Sequence, residues 1–95
     1  MDKEIVGADL QKTGEYLVKL ANVGNLDHGQ NPARTVPGIR NTMAPAKTLA
    51  EASTLCSEYI RRNELGGGNW AGGEVLLDGV IVARVSYNGR VWLTD

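Results

Sequence analysis

The chain has 95 residues, 42% hydrophobic and 22% charged, a composition that suits one globular domain and excludes a disordered or fibrous polymer. A domain of this size buries about 60–65% of its unfolded surface, enough for one modest core. Ten basic side chains against eleven acidic ones leave a net charge of −1, so no bulk field draws nucleic acid or an anionic membrane, and the chain is no acidic mimic of DNA.

The opening MDKEIVGADLQ lacks the basic start and apolar core of a signal peptide, and no apolar run approaches the length of a membrane span. One cysteine excludes an internal disulfide and fits a reducing compartment. The expectation is a cytoplasmic protein with no membrane partner.

Residues 15–23, EYLVKLANV, place Tyr16, Val18 and Leu20 on one side of an extended segment, and Gly14 interrupts any longer helix. They are expected to form a strand. Residues 24–46 hold all three prolines and three asparagines and are expected to form one long ordered loop or two short turns. A loop of that length in a small domain implies function or a missed element. Asp27-His28 lies within it. The pair hints at a general base or pocket, but no serine or cysteine partner accompanies it, and a solvated loop histidine is the simpler reading.

Thr48-Leu49-Ala50-Glu51 has capping-box spacing. Leu49, Ala52, Leu55, Cys56, Tyr59 and Ile60 follow at the spacing of one buried helical face. A helix is predicted over 49–63, with Arg61 and Arg62 in its last turns and Gly66 at the left-handed residue beyond its end. Cys56 falls on the buried stripe, away from any helix N-terminus, and reads as a core residue and not a nucleophile.

LGGGNWAGG, residues 65–73, formally contains G-x-G-x-x-A at Gly66, Gly68 and Ala71. A dinucleotide fingerprint needs a strand before it and a helix N-terminus after it. Here a helix precedes and a strand follows, so the negative end of the dipole faces the glycines. A Walker A loop fails because Gly73-Glu74 follows Gly72 where Lys-Ser/Thr is required. The stretch reads as a helix stop, a turn and a seat for Trp70, with a ligand-contacting lip as the alternative. No cofactor and no metal site are expected, since one histidine and one cysteine offer no paired ligand spacing.

Asp78-Gly79 and Asn88-Gly89 both favour two-residue type I′ turns and predict a meander of strands 74–77, 80–87 and 90–94. The fold expected is α+β: one helix on this three-stranded antiparallel sheet, joined by 15–23 as a fourth strand. The implied pairing puts Leu76, Ile81, Ala83, Val85, Tyr87 and Trp92 on a helix-covered side. It puts Val75, Leu77, Val80, Val82, Arg84, Ser86, Val91 and Leu93 on the other. So much apolar surface around Arg84 is covered either by the N-terminal segment or by another chain.

LGGGNWAGGEV, VARVSYNGRVW and LAEASTLCSEYI resemble short uncharacterised bacterial proteins of mobile elements, of the prophage, plasmid or integron gene cassette type. The resemblance covers roughly the C-terminal half, extends to VGNLDHGQNP in the loop, and implies an accessory or interaction role; the group has no known activity, so it supplies no catalytic residues to carry over. The expected function is a non-enzymatic module that binds a protein partner or itself through Val82, Arg84, Leu93 and Trp70. The alternatives are a nucleic-acid-binding accessory protein using Arg61, Arg62, Arg84 and Arg90, and a small-molecule site at Asp27 and His28.

Overall fold

The computed structural model describes residues 3–94. Among these residues the chain is α+β, with one α-helix on one side of a fully antiparallel six-stranded sheet. The strands are β1 (Lys3–Ile5), β2 (Thr13–Leu20), β3 (Thr42–Thr48), β4 (Glu74–Leu77), β5 (Val80–Val85) and β6 (Val91–Leu93), in the order β1-β6-β5-β4-β2-β3. Helix α1 (Leu49–Arg62) joins β3 to β4, which flank β2, so the three strands and the helix form a split β-α-β unit.

The expected meander of β4, β5 and β6 and the fourth strand are present, but the sheet has two strands more. The first is β1, which pairs with β6 at one edge; the second is β3, which lies inside and just beyond the expected 24–46 loop. β3 is Thr-Met-Ala-Pro-Ala-Lys-Thr. Alanine and proline are poor strand formers, so its local preference is silent. Its pairing depends on β2, whose Tyr16, Leu17 and Val18 register with Ala46, Pro45 and Ala44.

α1 begins as expected, with the Glu51 amide donating to the Thr48 hydroxyl at 3.0 Å. Its end differs. Glu64, not Gly66, takes the left-handed position, at φ 53°. The Glu64 amide donates to the Arg61 carbonyl at 3.2 Å and the Leu65 amide to that of Ile60 at 2.9 Å. That pair of bonds is a Schellman stop, and it brings Leu65 into the core one residue before the glycines begin.

Asp78-Gly79 forms the expected turn with both residues at positive φ, but Asn88-Gly89 does not. Ser86 donates to the Arg90 carbonyl and Gly89 to that of Ser86, each at 2.9 Å, with Gly89 at φ 85°. This is the three-residue loop with a left-handed glycine, which shifts the register by one. Val85 therefore pairs with Val91 and Arg84 with Trp92. A bulge at Val82 adds a second shift, so Ala83 pairs with Val75. Since a one-residue slip reverses a side chain's face, Val75 and Val91 join Ala83 and Val85 under the helix. Leu76, Ile81 and Trp92 turn to the opposite side.

The core lies between α1 and this inner face, where Val18, Val75, Ala83 and Val85 are fully buried with Ala52 and Cys56 of the helix. Among the described residues no helix is long and apolar enough to cross a membrane.

Candidate functional site

Strand alternation sends the neighbours of the buried residues to the face away from α1. Register aligns them in two rows. One crosses all six strands as Glu4, Trp92, Arg84, Glu74, Lys19 and Met43: Glu4 pairs with Trp92, Trp92 with Arg84, Arg84 with Glu74, and Lys19 with Met43. The antiparallel register of Val18 with Val75 carries the row from Glu74 to Lys19, and their side chains form an ion pair at 3.4 Å. The other row is Ile81, Leu76, Leu17 and Pro45.

Three apolar members of this face are open to solvent, Leu17 at 46%, Ile81 at 45% and Met43 at 44%, while Leu76 and Trp92 are half-buried. Among the described residues Arg84 has no carboxylate within ion-pair distance, because Glu74 is engaged by Lys19 and Glu4 by Arg90 at 3.8 Å. A shallow groove of about 490 Å³ borders Leu17 and Pro45 and reaches toward Lys47 and Glu51.

Val82, Arg84 and Leu93, expected together on one side of the sheet, do not share a face. Arg84 is exposed on the open face. Leu93 pairs with Ala83 and so belongs to the opposite side, where it lies exposed near the edge. Val82 is the extra residue of the bulge and packs half-buried against the core. Trp70 sits at the end of the sheet. The sequence-level register placed Val82 and Leu93 beside Arg84; the bulge and the longer turn separate them.

Trp70 is half-buried and structural. Its indole N–H donates to the Val85 carbonyl at 3.2 Å, and its ring meets Tyr59 at a centroid distance of 6.0 Å and a tilt of 55°. Residues 70–73 run along the end of β2: Ala71 donates to the Ala21 carbonyl at 3.1 Å and Gly73 to that of Lys19 at 2.8 Å. A Cβ on Gly73 would collide with the Val85 carbonyl, and one on Gly72 with that of Lys19. Both glycines also lie against the indole. The glycines leave space for backbone and tryptophan, not for a phosphate.

The long loop is fastened from inside by two buried asparagines that the sequence reading did not single out. Asn22 donates through Nδ2 to the Tyr59 hydroxyl at 2.9 Å and the Ile39 carbonyl at 3.3 Å, and its Oδ1 accepts from the Val36 amide at 2.6 Å. The Tyr59 hydroxyl in turn donates to the Arg40 carbonyl at 2.8 Å. Asn69 donates to the Val23 carbonyl and to Gln30 Oε1, each at 2.9 Å. A buried amide with this many partners is a fastening. Asn-rich segments offer many candidates for it, and only burial distinguishes these two.

Asp27 and His28 lie exposed in a short 3-10 turn at the loop tip. Among the described residues no cluster of three or more His, Cys, Asp or Glu side chains could hold a metal. Cys56 is buried in the core, and burial, with a contribution from the Glu74 carboxylate, pushes its thiol up to about 12. Arg61 and Arg62 are exposed on the last turn of α1, in the layer opposite Arg84, and Arg90 is paired with Glu4. The structure does not gather the four arginines on one surface.

No family model, curated protein or solved structure matches the chain.

Proposed function

We propose that this protein is a small non-enzymatic interaction module whose working surface is the open face of the sheet. The observation that carries the reading is the apolar row Ile81–Leu76–Leu17–Pro45, exposed at Ile81, Leu17 and Pro45 and half-buried at Leu76, lying beside a charged row centred on Arg84 and Trp92. Burial of the apolar row supplies affinity, and Arg84, with no ion-pair partner among the described residues, supplies orientation; arginine and tryptophan are the residues that most often anchor interfaces. The resemblance of the C-terminal half to proteins of mobile elements favours an accessory role in a prophage, plasmid or gene cassette, acting in the cytoplasm.

The nucleic-acid reading has weaker support, because Arg61 and Arg62 lie on the layer opposite Arg84 and Arg90 is partly neutralised by Glu4. Capture of a partner by the wild-type chain, by Ile81→Lys and by Arg84→Glu, each with and without nuclease, tests the proposal. Nuclease-resistant capture by wild type that both substitutions abolish is expected. Capture that survives both substitutions, or that nuclease removes, would defeat it.

A further inference from the structure

We infer that the partner of the open face is a second copy of this chain, docked face to face about a two-fold axis parallel to the strands and midway between β5 and β4. The inference rests on the proposal that this face is the working surface, and it follows from the order of charges along the row. With six strands in the order β1-β6-β5-β4-β2-β3, such an axis lays β5 over β4 of the partner and β6 over β2. Each row then meets its own reverse. Arg84 faces Glu74 of the partner subunit, Lys19 faces Trp92 of the partner subunit, and Ile81 faces Leu76 of the partner subunit.

Every contact therefore occurs twice, and the central ones join chemically complementary groups: an ion pair, a cation over an indole, and an apolar pair; only at the rim does a charge, Glu4, face an apolar side chain, Met43 of the partner subunit. A row carrying the same sign of charge on β5 and β4 would instead set like on like. The sheet edges offer no comparable route. Among the described residues β1 spans three, and β3 carries Pro45 and Lys47, the devices that blunt an edge against strand addition. Six strands about 4.8 Å apart give a face about 24 Å wide, so two such faces bury on the order of 1,000 Å², the lower bound for a specific interface. The dimer is accordingly weak and concentration-dependent.

Sedimentation equilibrium of the full chain from about 10 µM to about 1 mM, which spans weak association, tests this. The expected result is a mass rising from 10.2 kDa toward twice that value. Ile81→Lys and Arg84→Glu, both at exposed positions, should remain monomeric with unchanged circular dichroism. The swap Arg84→Glu/Glu74→Arg re-creates the ion pair with its sign reversed and should restore the dimer. A monomer throughout the range overturns the inference, as does a dimer indifferent to Ile81→Lys, or one lost in both single variants and not recovered by the swap. If wild type is monomeric yet captures a different protein that Ile81→Lys does not, the working surface stands and the second copy falls.

Discussion

Asn22 and Tyr59 are fully buried partners 2.9 Å apart, one at the end of β2 and the other on α1, and between them they hold residues 36 to 41. Asn22 Oδ1 takes the Val36 amide, its Nδ2 gives to the Ile39 carbonyl, and the Tyr59 hydroxyl gives to the Arg40 carbonyl. The Asn22 backbone amide also donates to Asn41 Oδ1 at 3.0 Å. The segment is thus held by these hydrogen bonds as well as by Val36 and Ile39, which pack half-buried against the core.

Asn22→Ala leaves the Val36 amide, the Ile39 carbonyl and the Tyr59 hydroxyl each short of a partner. The expected loss is about 3 kcal/mol in urea unfolding, against about 1–2 kcal/mol for Tyr59→Phe. Hydrogen exchange should accelerate across residues 24–41 before the sheet is affected. A loss within 1 kcal/mol of zero for Asn22→Ala would contradict the fastening role.

Glycine 73 is required twice over, by its φ of 103° and by the Val85 carbonyl where a Cβ would be. Gly73→Ala should cost about 3 kcal/mol or more. Gly79 has a similar left-handed φ of 81° but open space around it, so Gly79→Ala should cost only about 1 kcal/mol. Equal losses at the two sites would show that close approach contributes nothing.

The helix stop yields a stabilising substitution. Glu64 carries a side chain at φ 53°, a conformation that costs an L-residue about 1–2 kcal/mol. Glycine relieves that cost but loses about 0.5–1 kcal/mol to its freer unfolded chain. Glu64→Gly should raise stability by roughly 0.5–1 kcal/mol, seen as a higher urea midpoint with an unchanged slope.

The Cys56 thiol has its pKa raised from 9.0 to about 12 by burial, so the folded protein favours the neutral form. Its contribution is fully present below pH 9 and is lost progressively as pH rises from 9 toward 12, by about 1.4 kcal/mol per unit at most. The unfolding free energy of wild type should therefore fall more steeply than that of Cys56→Ala between pH 9 and 10.5. Parallel curves would contradict a buried neutral thiol. In the same state the native thiol should resist disulfide reagents at pH 8, where only unfolding exposes a thiolate.

The parts legible in the sequence are those whose cause is local. The Thr48 cap and the apolar spacing from Leu49 to Ile60 specify α1, because both depend on residues three and four apart. Asp78-Gly79 specifies its hairpin, because two positive φ angles in succession select that dipeptide. A charge in mid-strand marks the Arg84 side as at least partly wet, but the expected cover by the N-terminal segment does not form, because residues 3–5 pair with β6 and 13–20 with β4 and β3 inside the sheet itself.

The rest was decided by tertiary structure. β3 becomes a strand because β2 has a free edge to pair with, not through any preference of Ala44, Pro45 or Ala46. The bulge at Val82 and the three-residue turn before Arg90 are each a choice among nearly equal local geometries, settled by which residues fit beneath α1. Moving Val75 and Val91 inward turned Trp92, Leu76 and Ile81 outward, so the composition of the open face followed from packing on the closed one. LGGGNWAGG shows the same division. Its glycines signal a turn in the sequence alone, but that Trp70 lies between Tyr59 and the Val85 carbonyl, with Gly72 and Gly73 making room for it, depends on strands far away in the chain.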